Sequence, residues 1–260
     1  MLDINRIYTV DVLEGLKQLD DNSIDLIIFS PPYNKLGLRS GAKKITEKNA
    51  KTAKGLRKWI QAIPYGGDLN SDNMPEEEYE KWQIEILNEC YRVLKDDGSI
   101  FYNHKNRIKA HNVISPYKWL YKTKLLIRQE IVWDRSASCT TSPIRWLPST
   151  ERVYWLTKTS KPRFYRKADT KHKSEVWKIG MERNNAHPAP YPIELVDTIL
   201  DNIPSDEPLL VLDPFMGSGT TAIAALQHHH NYIGFDKFQE YVDMANERIK
   251  KCLENEKKSS

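Results

Sequence analysis

Leu209-Leu210-Val211-Leu212-Asp213-Pro214-Phe215-Met216-Gly217-Ser218-Gly219-Thr220-Thr221 decides the fold. Its opening apolar run reads as a strand buried on both faces. An acid and a proline close that strand, glycines turn the chain, and a helix over 219–228 follows. Strand, glycine turn and helix form the repeating unit of open α/β sheets. Ligands of such sheets sit at the carboxyl ends of the strands, and glycine lets the backbone approach them closely. The turn has no lysine for a phosphate loop and lacks the three spaced glycines of a dinucleotide fingerprint. Both omissions point towards a nucleoside cofactor.

Outward from this turn, Tyr232-Ile233-Gly234-Phe235-Asp236 is the next strand. A carboxylate at its end can accept both ribose hydroxyl hydrogens, the role expected for Asp236; the other role is an N-cap for the helix over 239–253, whose tail is expected to fray. Upstream, 191–203 predicts a helix with Pro192 in its first turn, and 208–212 a strand. Near the N-terminus, 4–10 predicts a strand, 12–19 a helix and 25–29 a doubly buried strand. Asp72-Asn73-Met74-Pro75-Glu76 is a helix start and Asp97-Gly98 its stop, with strand 99–103 beyond. Helix is expected over 108–121 despite Pro116, and strands over 125–133, 151–158 and, more weakly, 163–166. Alternating strands and helices predict a doubly wound, mostly parallel α/β sheet.

The chain has 260 residues, 40% of them hydrophobic, enough for one large domain. No apolar run approaches the ~20 residues of a membrane span, and the N-terminus lacks a signal-peptide pattern. Cys90, Cys139 and Cys252 are too few and scattered for a disulfide framework or zinc site, which suits a reducing cytoplasm. Net charge is only +4, but it is unevenly spread. Residues 35–67 carry nine Lys or Arg against one acid, Glu47, and residues 105–183 carry 19 against 6. That asymmetry suits a polyanion on one face, or a solvated basic surface. The 35–67 stretch also lacks periodicity and reads as a long mobile loop.

Ser30-Pro31-Pro32-Tyr33 ends the strand over 25–29. Paired with the later glycine turn, in this order, it resembles the permuted (beta-class) S-adenosylmethionine-dependent amino-methyltransferases of DNA in restriction-modification systems. The resemblance covers nearly the whole chain except the basic loop and residues 136–186. It implies a Rossmann-like sheet with an inserted DNA target-recognition region. Residues 1–34 and 68–135 would form the catalytic half, 35–67 a mobile loop, 136–186 the target-recognition region and 187–260 the cofactor half. It also implies double-stranded DNA as substrate and a restriction endonuclease as functional partner. Many relatives pair as homodimers, but nothing in the sequence fixes the oligomeric state.

An exocyclic amino group needs acceptors for its hydrogens before its nitrogen can attack a methyl donor. Ser30 Oγ and the Pro31 carbonyl can supply them, stiffened by Pro31 and Pro32. Tyr33 would stack on a base flipped out of the duplex. Serine at the head of this motif is associated in the family with N4 of cytosine, and Asp or Asn with N6 of adenine. N4-cytosine is therefore expected, with N6-adenine the alternative. RNA or protein-amide methylation fits the permuted order less well, and an inactive DNA-binding module fits the intact motifs less well.

The resemblance assigns Asp213, Pro214, Phe215, Gly217, Ser218, Gly219, Thr220 and Asp236 to the cofactor. It adds His187 at the methionine end, or as an ordinary loop histidine, and Asp11 at the adenine amino group, or as a cap on the helix starting at Val12. Trp133 would line the base pocket, or be a buried strand tryptophan. Arg145, Arg152, Arg163, Arg166 and Lys167, with Trp146 beside them, are expected at DNA. The histidines at 228–230 suit a helix C-terminus, with no metal expected.

Overall fold

A computed structural model describes residues 2–34, 74–136, 146–181 and 191–259, with side chains through residue 255. The expectations for the 35–67 loop, Cys139, Arg145 and His187 lie outside the described residues. Ten strands and six helices are described: β1 (Arg6–Thr9), α1 (Val12–Lys17), β2 (Ile24–Phe29), α2 (Glu76–Val93), β3 (Leu94–His104), β4 (Arg107–Lys109), β5 (Asn112–Ile114), α3 (Tyr117–Leu120), β6 (Leu126–Asp134), β7 (Thr150–Thr157), β8 (Val176–Lys178), α4 (Ile193–Leu200), β9 (Leu210–Asp213), α5 (Thr220–Gln227), β10 (Asn231–Asp236) and α6 (Gln239–Ser259).

Eight strands form one sheet in the order β1-β10-β9-β2-β3-β7-β6-β8. From β1 to β3 the strands are parallel, β7 runs antiparallel to both neighbours, and β8 is parallel to β6. The period of two sorts side chains to the two faces. Leu26, Ile28, Phe101 and Val211 pack into one core with α4, α5 and α6. Ile27, Phe29, Ile100, Tyr102 and Leu212 pack into the other with α1, α2 and α3. The chain leaves β2 and β9 in opposite lateral directions, with its helices on opposite faces. These two strands pair directly, Leu26 beside Val211 and Ile27 beside Leu212. The boundary between them is therefore the switch point, where such sheets bind ligands.

The structure corrects several sequence expectations. The helix expected over 108–121 is a β4–β5 hairpin followed by one turn of helix, α3. Its two-residue loop, Ala110 and His111, has φ 44° and 64°, the twist that hairpin turns favour. Ile108, Val113 and Ile114 are β-branched and suit strands, and Pro116 delays helix until 117. Residues 163–166 form no strand, because the Arg163 and Tyr165 amides bond to the Asp97 and Asn202 carbonyls across the molecule. Asp97-Gly98 does not separate helix from strand; α2 passes directly into β3 at Leu94. The cap at the start of α2 is Pro75, with no side-chain hydrogen bond. Helix α6 runs through Ser259, past the expected end at 253. Within residues 136–186, β7 and β8 belong to the main sheet.

Candidate active site

Both motifs leave the carboxyl ends of neighbouring strands, Ser30 after β2 and Pro214 after β9. Adjacent strands lie ~4.8 Å apart, so a cofactor on one turn and a substrate on the other are held side by side.

The turn after β9 is braced from inside. Asp213 is fully buried. One oxygen accepts the Phe215 amide at 2.9 Å; the other accepts the Tyr191 hydroxyl at 2.7 Å and the Thr221 hydroxyl. Tyr191, to which sequence reasoning assigned no contact, thus holds this turn. Burial outweighs these hydrogen bonds and pushes the Asp213 carboxyl up to about 6. Gly217 and Gly219 take φ 51° and 80°. A Cβ on Gly219 would meet Ala245 Cβ at 2.9 Å, so α6 packs where only glycine fits. Gly234, on β10, leaves room for Met216, whose Cε would lie 2.4 Å from an added Cβ. The Arg248 guanidinium donates to the Ser218 carbonyl. Pro214, Ser218 and Thr220 are buried, and Phe215 lies between Phe29 and Trp82 at centroid distances of 5.8 and 5.7 Å.

Asp236 closes the turn from β10. Its carboxylate accepts the Gly217 amide at 2.9 Å and the Phe238 amide at 3.0 Å. It therefore ties the glycine turn to the segment that leads into α6. Burial raises its carboxyl to about 6. Asp236 is only half-buried whereas Asp213 is wholly enclosed, so Asp236 is the acid of the pair that a ligand can reach. Each carboxylate oxygen has lone pairs beyond those used by the amides. Asp11 lies exposed beside it and accepts the Leu13 amide at 3.0 Å, the capping role.

The catalytic turn is held by residues far along the chain. The Tyr79 hydroxyl on α2 donates to the Pro32 carbonyl at 2.7 Å and lies 2.8 Å from His104 Nε2. Arg107 lies over the Tyr79 ring at 4.6 Å and pairs through two nitrogens with Glu76. Asn34 takes a left-handed φ of 52° and exchanges two hydrogen bonds with Met74, at 2.9 and 2.8 Å. The two ends of the intervening stretch are thus pinned together. Ser30 Oγ is 2.7 Å from the Tyr33 hydroxyl, which donates towards Asn103 Oδ1 at 2.9 Å and Glu151 Oε2 at 3.0 Å. The Tyr33 ring is 7% exposed, with His104 at 4.6 Å and the Lys105 ammonium at 5.4 Å. The stacking face expected from the sequence is covered in this structure. Tyr79, Asn103, His104, Arg107 and Glu151 were missed because no motif marks them.

The expected DNA residues do not gather at one place. Trp133 is 3% exposed, and its indole donates to the Ile179 carbonyl at 2.8 Å, so it is a core residue. Arg152 opens β7 near the carboxyl edge and pairs with Glu130 at 2.8 Å. Arg163 pairs with Asp97 at 2.7 Å and Asp25 at 3.3 Å, at the amino ends of β2 and β3. Arg166 and Lys167 are exposed along the same amino edge, where the Lys167 amide bonds to Asn202. These three lie across the sheet from Ser30. Trp146 is 96% exposed. Among the described residues no metal-binding cluster occurs, His228 bonds to Asp197 at 3.1 Å, and no helix is long and apolar enough to cross a membrane.

Comparison with known proteins agrees with this layout. The family model described as DNA methylase, of the N6 and N4 type, matches residues 24–247. The type II methyltransferase M.BglII of Bacillus subtilis is 29% identical over 93% of this chain and 68% of its own. Among solved structures, the cytosine-N4-specific PvuII DNA methyltransferase superposes with a TM-score of 0.69 at 20% identity, over 95% of this chain and 90% of that one. M1.HpyAVI in complex with S-adenosylmethionine gives 0.58 at 19% identity, over 94% and 98%.

Proposed function

Because the chain belongs to the N6/N4 DNA methylase family and is an S-adenosylmethionine-dependent amino-methyltransferase of DNA, we propose that it methylates the N4 amino group of a flipped cytosine at a specific site, protecting DNA beside a restriction endonuclease. The observation that carries this reading is the adjacency of the two motifs at the carboxyl ends of β2 and β9, with a serine hydroxyl heading the first. The residues fit the cofactor. Gly217 and Gly219 give the turn its left-handed backbone, with Gly219 letting α6 pack close behind it, and Asp236 offers a partly open carboxylate for ribose hydroxyls. Pro214, Phe215, Ser218 and Thr220 shape that turn, and Asp213 holds it from beneath. Asp11, beside Asp236, would meet the adenine end, and His187 the methionine end.

When bound, S-adenosylmethionine supplies a methyl group already activated on sulfonium. The protein's part is largely positioning. Ser30 Oγ and the Pro31 carbonyl accept the amino hydrogens, which draws the nitrogen lone pair out of the ring and towards the methyl. The Pro32 carbonyl is taken by Tyr79, so the Pro31 carbonyl is the one left to the substrate. A base can stack on Tyr33 only where the ring, now faced by His104 and Lys105, is uncovered. Target reading falls to the carboxyl rim at Arg152, with Trp133 supporting the rim from the core, and Arg145 is carried as a DNA contact on the sequence reading alone.

Nucleoside mass spectrometry of plasmid DNA from a methylation-deficient host tests this, with Tyr33→Ala as control. N4-methylcytosine absent from the control is the expected result. N6-methyladenine instead would overturn the base assignment and keep the mechanism, whereas neither mark would sink the DNA reading.

A further inference from the structure

Three acceptor-capable groups surround the Tyr33 hydroxyl: Ser30 Oγ at 2.7 Å, Asn103 Oδ1 at 2.9 Å and Glu151 Oε2 at 3.0 Å. Asn103 is oriented by its own amide, which donates to the Arg152 carbonyl at 3.0 Å, so its oxygen must face Tyr33. Glu151 is 7% exposed, and its other oxygen is held at 3.1 Å by Arg135. Arg135 is fixed in turn by the Pro148 carbonyl at 2.8 Å. Neither the carboxylate nor the amide oxygen has a hydrogen to give. Tyr33 has one, and it is drawn to that pair. The contact with Ser30 is satisfied only if Ser30 donates to Tyr33.

We infer that Glu151, with Asn103, is a positioning residue that acts through Tyr33 to fix Ser30 as an acceptor. The hydrogen of Ser30 is committed inward, and its lone pairs are left facing the substrate. A free serine hydroxyl rotates and can present its hydrogen to the target nitrogen, competing for the lone pair that must attack. The inward chain removes that option before the substrate arrives. This is preorganisation of the kind that costs nothing at the moment of reaction. It also accounts for a buried carboxylate in a site whose chemistry requires no acid: the charge of Glu151 orients a neutral hydroxyl two groups away. The inference rests on the proposed amino-methylation.

Tyr33→Phe and Glu151→Gln test it, read in the full-length protein by single-turnover methylation with separately measured S-adenosylmethionine and DNA affinities. Tyr33→Phe keeps the ring and removes the link. The single-turnover rate is expected to fall about 10- to 100-fold in each, with both affinities within about twofold of wild type. The double variant is expected to be no slower than Tyr33→Phe alone, because the chain is already cut. Additive losses, or an unchanged rate in Tyr33→Phe, would overturn the inference. If Glu151→Gln loses affinity or folding, Tyr33→Phe alone decides. A wild-type protein that marks no DNA would defeat the functional reading itself, and is thereby distinguished from a wild-type protein that is active but indifferent to these substitutions.

Discussion

Asp236 reaches Gly217 across 19 residues of chain, whereas Tyr33 reaches Glu151 across 118. The hydrogen bonds that tie the cofactor turn come mainly from its own strand-turn-helix-strand unit, with Tyr191 and Arg248 added from outside and Phe29 and Trp82 packed on Phe215. The catalytic turn carries few contacts of its own and is held by α2, β3, β7 and the end of β6. A nucleoside cofactor asks for a backbone shape, which glycines and one acid encode locally. An amino group asks for oriented acceptors, and orientation needs side chains approaching from several directions.

The largest effect that would test this contrast is Gly219→Val. The new side chain must sit at φ 80° against Ala245, which costs about 1–2 kcal/mol in backbone strain before any clash. S-adenosylmethionine affinity by calorimetry is expected to fall at least about tenfold. Unchanged affinity would mean that the close approach of α6 does not shape the cofactor turn.

Asp236→Asn comes next and adds a pH signature. Burial raises the folded carboxyl to about 6, above its usual unfolded value near 3.9. Between about pH 4 and 6 the folded protein holds this proton and the unfolded chain does not. Wild-type stability therefore falls as pH rises through that window. Melting curves should show Asp236→Asn gaining on wild type across it, by on the order of 2 kcal/mol, and no further above about 6. Parallel curves at all pH values would show that burial does not shift this group. Cofactor affinity of the wild type should also weaken below about pH 6, as the carboxylate becomes protonated and loses acceptor capacity.

Tyr79→Phe sharpens the other side of the comparison. It frees the Pro32 carbonyl and removes the bond to His104. A stability loss of about 1–2 kcal/mol and a methylation rate reduced roughly tenfold are expected, with cofactor affinity unchanged. A loss of cofactor affinity instead would show that the two halves are not separately braced.

Arg163→Ala should have the smallest effect. Its partners, Asp25 and Asp97, lie at the amino edge of the sheet. DNA affinity in a gel-shift titration should stay within about twofold, with about 1 kcal/mol lost in stability. A tenfold loss of DNA affinity would place DNA on the amino edge and overturn the carboxyl-rim reading.

Much of this protein was legible in its sequence wherever neighbours along the chain settle the outcome. The run from Leu209 to Thr221 specifies strand, turn and helix through local patterning, and the expected β9, α5 and β10 appear within a residue or two. The parallel α/β class followed from alternation, and the two motifs were visible by residue type. Local pattern misled over 108–121, where Ala110 and His111 adopt left-handed angles that their side chains do not demand. Charge alone did not show that Arg163 pairs with Asp97 and Asp25, because a basic residue looks the same whatever anion it meets. What only the tertiary structure decided is which remote groups converge: Tyr79 on Pro32, Asn34 on Met74, and Asn103 with Glu151 on Tyr33. A buried hydrogen bond needs its partners within ~3 Å in the right orientation. Strand order and register set that distance, and they depend on the packing of the whole sheet.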